Sequence, residues 1–352
     1  MKNNTIKFFL GGILIASTLF AGTIRSSGTA GAAQLLIPVG AENIAVSNAN
    51  VATVSGVEAL FQNPAGIAKY DGSAQAMAGT MSYLADINVT NFGILTKFGK
   101  IGTMGLSVKS LDFGDIPVTT YNETEGTGAT FSPRYMTIGV AYGKSFSDRV
   151  QFGVNFKLVS EAIINTKANG FAIDLGVQYK FPDMPLYIGV ALKNLGSRME
   201  YQGSDLEQQL APDGTESGTI KERFRIKAEA FDLPSQFDIS LNYEVIPDLS
   251  LMGTFTQNSF SANTGSFAAK YSYKDFVWVA AGTQLGLVNS SDQPADVDDD
   301  EWADWSDTLW GYTFGAGVAV PLGEFKIGVG YSYRSVTDYF ENNSLFQLTV
   351  DF

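Results

Sequence analysis

The chain has 352 residues, a net charge of −13, and neither cysteine nor histidine. These absences exclude disulfides, thiolate nucleophiles, zinc–thiolate sites and the histidine-dependent catalytic triads. The acidic balance argues against a nucleic-acid binder, which needs clustered lysine and arginine to neutralise phosphates. No motif calls for Ser-Lys or paired-carboxylate chemistry or for a cofactor, so the sequence predicts a protein that is not an enzyme.

The amino terminus has the layout of an export signal. Lys2 and Lys7 precede an apolar run over residues 8–20, and small residues follow it. The run is too short to span a bilayer as a helix, which takes about 20 residues. We therefore predict a signal peptide over residues 1–22, with cleavage somewhere in 21–33; an uncleaved anchor is the alternative.

From about residue 73 onward, hydrophobic and polar side chains alternate with a period of two. Residues 151–158 and 344–352 are examples, with every second side chain hydrophobic. Successive side chains of a strand point to opposite faces, so each segment has one apolar and one polar face. We count fourteen predicted strands. They are 73–84, 86–98, 101–112, 133–145, 149–162, 168–180, 185–197, 234–246, 248–258, 265–274, 276–288, 309–321, 324–336 and 344–352.

The length of these strands and their connections favour a membrane barrel over a soluble sandwich. Most approach or exceed the roughly 9–11 residues that a tilted strand needs to cross a bilayer. The long loops, 113–132, 198–233 and 289–308, all lie at the same end of the predicted barrel, as in outer-membrane barrels. No later stretch could span a membrane as a helix. We predict an all-β, transmembrane antiparallel barrel over residues 73–352, contacting lipid in the outer membrane of a Gram-negative-type bacterium, with Phe352 in the closing strand.

Residues 23–72 precede the barrel, and from residue 34 they show no alternation. They are rich in small residues and contain a turn signal, Asn63, Pro64, Ala65 and Gly66. A fourteen-stranded barrel is too wide for its own side chains to fill. We predict that this segment forms a small luminal plug; an unstructured periplasmic lead is the alternative.

Charged residues fall on both the strands and the loops. Inward-facing lysine, arginine and carboxylate side chains are predicted to pair inside the barrel: Lys157, Lys193, Lys270, Lys326 and Arg334 with Asp174, Asp238 and Glu244. In the loop 289–308, Asp296, Asp298 and Asp300 have the spacing of the start of a calcium-binding EF-hand loop. The positions of the turn glycine and of the bidentate glutamate are not matched, so a solvated acidic loop is the alternative.

Several motifs resemble those of the PorV/PorQ family. They are GTAGAAQLLIPVGA at 28–41, NPAG at 63–66, LDFG at 111–114, TT at 119–120, GTG at 126–128, DRVQFG at 148–153 and AIDLGVQY at 172–179. The resemblance covers about residues 28–180; the segment 43–51 departs from it, because the family pattern there is richer in methionine and glycine. The resemblance implies a FadL-like barrel of fourteen strands. It also implies a role in type IX secretion, in which the barrel binds cargo through a carboxy-terminal signal domain and passes it to the surface attachment machinery.

Two functions therefore remain open. The first is the secretion component, with secreted cargo proteins and other secretion components as partners. The alternative is a FadL-like channel for hydrophobic small molecules, which predicts an apolar pocket beside the plug and a kinked strand that opens the wall.

Overall fold

Fourteen antiparallel strands form one closed barrel. The computed structural model describes residues 28–210, 222–274, 276–287, 293, 297–298, 302, 309–337 and 340–352. The strands are β1 (Ala74–Ser82), β2 (Asn88–Lys97), β3 (Thr103–Asp112), β4 (Arg134–Ser147), β5 (Val150–Ile163), β6 (Thr166–Lys180), β7 (Leu186–Gly196), β8 (Gln236–Ile246), β9 (Leu249–Asn258), β10 (Asn263–Tyr273), β11 (Val277–Leu287), β12 (Trp310–Leu322), β13 (Phe325–Val336) and β14 (Asn343–Asp351). β1 pairs with β14, which closes the sheet. Each strand overlaps one predicted strand, so the predicted barrel is confirmed.

The wall of the barrel is apolar outside and polar inside. On β5, the outward Phe156 and Leu158 are 55% and 64% exposed, whereas the inward Asn155 is 1% exposed. The same inversion holds on β6, where Gln178 is fully buried and the outward Leu175 is 37% exposed. This polarity is opposite to that of a soluble protein and matches a barrel whose outer face meets lipid.

The wall is continuous, with a bulge at mid-height between β6 and β7. The register shifts between Ile173 and Leu175, where Asn194 has a left-handed backbone with φ of 62°. The Asn194 N–H donates to Asp174 Oδ1 at 2.8 Å, and pairing resumes beyond the bulge. β3 pairs without interruption with both of its neighbours.

The two longest connections in the described chain contain small ribbons. Ile116–Pro117 pairs with Thr130–Phe131, and Glu207–Leu210 pairs with Glu222–Arg225. The sequence predicts only loops here, because segments of two to four residues are too short to show an alternating pattern. Most of the predicted loop 289–308 lies outside the described residues.

The segment before β1 lies inside the barrel as a plug. It contains two short helices, α1 (Ala41–Ala45) and α2 (Ala59–Gln62), and the 3₁₀ turns Ala33–Leu36, Gly56–Glu58 and Pro64–Lys69. Leu60 and Ile67 are at most 1% exposed and pack in one core with wall residues such as Leu95. The luminal plug that the sequence predicts is therefore present. The predicted signal peptide lies outside the described residues, and among the described ones no helix is long and apolar enough to cross a bilayer.

Deleting Phe352 should impair barrel assembly, because its backbone completes the junction of β14 with β1. The Phe352 N–H donates to Ala74 O at 2.9 Å, and the Phe352 carbonyl accepts from Ser73 N at 3.2 Å. The ring packs edge-on against Phe325, with centroids 5.5 Å apart. On an unboiled denaturing gel the folded barrel migrates as a compact, faster band. We expect the deletion variant to show much less of this band than the wild type. Phe352→Ala keeps the backbone bonds and should assemble; equal assembly of the deletion and the wild type would contradict the prediction.

Candidate functional site in the barrel lumen

Polar side chains of the inner wall bind the backbone carbonyl groups of the plug. Thr313 Oγ1 donates to Ala45 O at 2.8 Å, and Gln178 Nε2 donates to Val51 O and Val54 O at 2.9 and 3.0 Å. Similar bonds run from Lys109 to Ile37, from Asn155 to Leu60, and from Ser240 and Thr254 to Ala49. The buried polar wall and the irregular plug backbone therefore satisfy each other, as groups removed from water require.

Glycines of the inner wall allow the plug backbone to approach closely. A β-carbon at Gly153 would lie 2.1 Å from the carbonyl carbon of Pro64, and one at Gly189 would lie 2.4 Å from Ala52 Cα. Other inward glycines in similarly tight contact with the plug are Gly105, Gly143, Gly176, Gly282, Gly315 and Gly330. The plug therefore fits a groove that any side chain at these wall positions would obstruct.

The predicted turn at residues 63–66 fixes the plug against β5 and β6. Asn63 Oδ1 accepts from Ala65 N at 3.1 Å, while Asn63 Nδ2 donates to Val51 O at 2.8 Å. Pro64 begins the 3₁₀ turn, where it needs no backbone donor, and a β-carbon at Gly66 would lie 2.1 Å from a carbonyl oxygen of the plug.

The inner wall carries ion pairs at mid-height. Lys157 pairs with Asp174 at 2.6 Å, and Lys193 pairs with Asp238 at 2.7 Å. All four belong to the set of luminal charges that the sequence predicts to pair, without assigning partners. Lys270 instead pairs with a plug residue, Glu42, at 2.6 Å. Of the other predicted luminal charges, Lys326 and Glu244 line the periplasmic cavity and Arg334 lies near the extracellular end.

The periplasmic cavity, about 780 Å³ in volume, lies between the plug and strands β8–β14 and β1. It reaches the periplasmic turn between β8 and β9 at Pro247 and Asp248. Its charged and aromatic lining includes Glu42, Glu58, Lys270, Trp278, Lys326 and Asp351. The sequence-based channel hypothesis predicts an apolar pocket beside the plug, and this expectation is wrong for the cavity. The apolar residues are used on the lipid face and in the plug core, which leaves polar side chains to line the open space.

Glu58 links the plug, helix α1 and the wall at this cavity. Its carboxylate accepts the N–H groups of Glu42 and Asn43 at 3.3 and 3.1 Å, and it accepts Gln347 Nε2 at 2.6 Å. Burial, followed by the charge of Glu42, raises the pKa of Glu58 to about 7. The role of Glu58 was not predictable from the sequence, because the plug has no periodicity that would place its side chains.

Helix α1 separates the periplasmic cavity from a narrow cleft on the extracellular side. Ala45 and Ala41 lie against Gly315 and Gly330, and the Ala41 N–H donates to Gln347 Oε1 at 2.8 Å. The cleft is lined by Pro38, Ile44, Ser47 and Asn48 of the plug and by Gln284, Trp310, Gly311, Thr313 and Arg334 of the wall. This one helical turn therefore borders both spaces, through Glu42 on one side and Ile44 on the other.

The predicted calcium ligands fall largely outside the described part of the chain. Asp298 is described, and its carbonyl accepts from Trp302 N at 2.9 Å, but Asp296 and Asp300 are not described. The calcium site therefore stays a prediction.

Solved structures with the same fold include toluene transporters and monoaromatic hydrocarbon channels. The Pseudomonas putida toluene transporter TodX has a TM-score of 0.57, at 12% identity, over 89% of this chain and 97% of that chain. The CymD monoaromatic hydrocarbon channel has a TM-score of 0.56, at 9% identity, over 90% and 97%. The Ralstonia pickettii toluene transporter TbuX has 0.53, at 12% identity, over 87% and 97%. No family model and no curated protein matches the sequence.

This chain is an outer-membrane β-barrel with a FadL-like fold. The fold and the outer-membrane location predicted from the sequence are thus confirmed. The likeness at these identities extends to the fold, and the PorV/PorQ resemblance stays a prediction from the sequence motifs.

Adding one methyl group at Gly153 should loosen the plug, because a β-carbon there meets plug backbone that cannot move aside. Gly253→Ala is the matched control, since its β-carbon would have its nearest contact at 3.6 Å, an ordinary separation. We expect Gly153→Ala to weaken plug docking by about 1–3 kcal/mol. The chain has no cysteine, so a Ser47→Cys reporter can measure plug release as reaction with a maleimide. Equal labelling rates in the two alanine variants would contradict the prediction.

Plug docking should weaken as pH rises. The pKa of Glu58 is raised to about 7 in the docked plug, against 4.5 for the free side chain, so the docked state favours the proton. This stabilisation is complete below about 4.5 and is lost as pH rises through about 7. We expect the Ser47→Cys labelling rate, divided by the rate in a Glu58→Gln background, to rise from pH 5 to pH 8. The ratio removes the pH dependence of the thiol itself. A ratio that does not change between pH 5 and pH 8 would contradict the prediction.

Proposed function

We propose that this barrel is an outer-membrane channel for small hydrophobic molecules. The observation that carries the proposal is the one-sided attachment of the plug. In the periplasmic half, the plug packs closely against the glycines of β2–β7 and leaves the 780 Å³ cavity along β8–β14. A solute path along that side is interrupted by helix α1. The fold is shared with TodX, CymD and TbuX, whose names describe transport of toluene or monoaromatic hydrocarbons.

The polar lining of the cavity is compatible with a role as the end of the path, from which the solute is released. A hydrophobic solute gains little by staying in a polar space that opens toward water, because apolar surface is not buried there. Release into the periplasm is therefore favoured. Entry requires α1 to leave its position between Gly315, Gly330 and the Gln347 amide.

Expression of the chain in a Gram-negative host should raise the initial rate of toluene uptake several-fold over cells with an empty vector. A Ser47→Cys/Thr313→Cys pair tests the path. The two hydroxyls are 2.8 Å apart and join the end of the α1 turn to β12, and the chain contains no other cysteine. Oxidation of this pair should abolish the added uptake, and reduction should restore it.

Each single cysteine variant serves as a control and should transport under both conditions. Absence of added uptake with the wild-type chain would overturn the channel proposal. Undiminished uptake with the disulfide formed would overturn the role of α1 as the barrier.

Type IX secretion is the second candidate function, and the PorV/PorQ resemblance favours it. The matching motifs at 28–41 and 63–66 lie in the plug, where Ala41 and Asn63 donate hydrogen bonds to Gln347 and Val177 of the wall. This role predicts that the barrel, purified from its native membrane after cross-linking, carries secreted proteins with carboxy-terminal signal domains. Their absence, together with toluene uptake, would favour the channel.

A further inference from the structure

Arg334 is a buried cation of the inner wall, and no ion pair joins it to a carboxylate in the described part of the chain. Lys109 also lacks an ion pair, but its ammonium group donates to the carbonyl of Ile37 at 2.9 Å. Arg334 projects inward from β13 and is 5% exposed. Lys157, Lys193 and Lys270 each have a carboxylate within 2.7 Å. A buried cation without a compensating anion is unfavourable, so the site is built to accept a negative charge.

The guanidinium group is held in a fixed orientation with one edge unbonded. Its Cζ lies 3.5 Å from the centre of the Trp310 ring, and Tyr83 lies beside the group. Nε and Nη2 have no hydrogen-bond partner among the described atoms. These two N–H groups share one edge of the guanidinium plane, and that edge can bind both oxygens of a carboxylate.

Asn343 adds a second unbonded polar group at the same place. It lies directly opposite Arg334 in the β13–β14 pair and is 1% exposed, and neither amide atom has a partner in the described structure. Side chains directly opposite on one face of an antiparallel pair are close neighbours. Arg334 Nε, Arg334 Nη2 and Asn343 Nδ2 therefore form a set of neighbouring donors.

The surroundings of these donors favour a flat and short ligand. The Tyr83 and Trp310 rings have centroids 5.8 Å apart beside the guanidinium. The adjoining cleft, which Ile44 and Ser47 of the α1 turn help to line, has no free volume even for a water molecule, so a bound molecule cannot extend into it. A single ring can approach the aromatic side chains while its acid group meets Arg334.

We propose that Arg334 and Asn343 bind the carboxylate of a small aromatic acid at the extracellular end of the lumen. This inference rests on the proposed channel function, since it names the class of hydrophobic solute that the channel selects. An aromatic acid combines a ring that suits Trp310 and Tyr83 with a group that compensates the buried charge.

Four probes separate the contributions of charge and ring. Benzoate, toluene and benzylamine share one ring and differ in charge, and acetate has the carboxylate without the ring. Their binding to the full chain in detergent micelles is measured by titration calorimetry. We expect benzoate to bind more tightly than each of the other three.

Arg334→Gln should weaken benzoate binding by about tenfold or more and leave toluene binding unchanged. Asn343→Ala should weaken benzoate binding by a smaller factor. Arg149→Gln is the matched control, because Arg149 is exposed in the periplasmic turn after β4. Folding of each variant is checked by the compact band on an unboiled gel. If Arg334→Gln does not assemble, Arg334→Lys is the second variant. It keeps the charge but loses the bidentate pair of N–H donors, and it should also weaken benzoate binding.

Benzoate binding that is unchanged in the Arg334 variants would overturn the proposal, and so would acetate binding as tight as that of benzoate. Absence of benzoate binding to the wild type would overturn it too. Toluene uptake distinguishes this failure from failure of the channel. Uptake without benzoate binding leaves the channel and removes the acid site, whereas benzoate binding without uptake supports the acid site and removes the channel.

Discussion

The fold depends on the inverted polarity of a wall that has lipid on its outer side. Because Phe156, Leu158 and their counterparts must face hydrocarbon, the period of two sends Asn155, Gln178 and similar side chains inward. Fourteen strands enclose more space than these side chains can fill. The inner wall is therefore polar, and its side-chain donors need hydrogen-bond acceptors. The plug provides these acceptors through its backbone carbonyl groups, and does not fill the lumen with a conventional apolar core.

This requirement explains the composition of the plug and of the wall glycines. Regular helices or strands would satisfy their own carbonyl groups, and the plug instead contains short turns whose carbonyl groups remain available to the wall. Small residues such as Ala41, Ala45 and Ala52 bring that backbone close to the inward glycines. The apolar residues of the plug, Leu60 and Ile67, pack only in small clusters. Docking thus combines many separate hydrogen bonds with close contact, so a single added methyl group or a single titrating carboxylate can shift it.

The strands and the strand count were predictable from the sequence, because alternation is a local property. The luminal plug was predictable because the segment before β1 does not alternate and a fourteen-stranded barrel is too wide for its own side chains to fill. The Lys157–Asp174 and Lys193–Asp238 pairs were predictable as well, since their side chains lie inward on adjacent strands. The Lys270–Glu42 pair and the role of Glu58 were not, because the plug has no periodicity and its contacts join residues far apart in the chain. The polar character of the periplasmic cavity was missed for the same reason: which wall residues remain uncovered depends on where the plug docks.

The one-sided docking of the plug also determines where a solute could be recognised. On the side of β2–β7, Gln178, Asn155 and Lys109 donate to plug carbonyl groups. The buried side-chain atoms without a partner on that side, such as those of Asn91, belong mainly to uncharged side chains. On the side of β11–β14, α1 and the residues that follow it lie against the wall. Arg334 Nε and Nη2 and both amide atoms of Asn343 have no hydrogen-bond partner in the described part of the chain. The periplasmic space below α1 carries more carboxylates than lysines. A negatively charged aromatic solute would therefore be attracted above α1 and repelled below it, which favours recognition at the extracellular end and rapid departure at the periplasmic end.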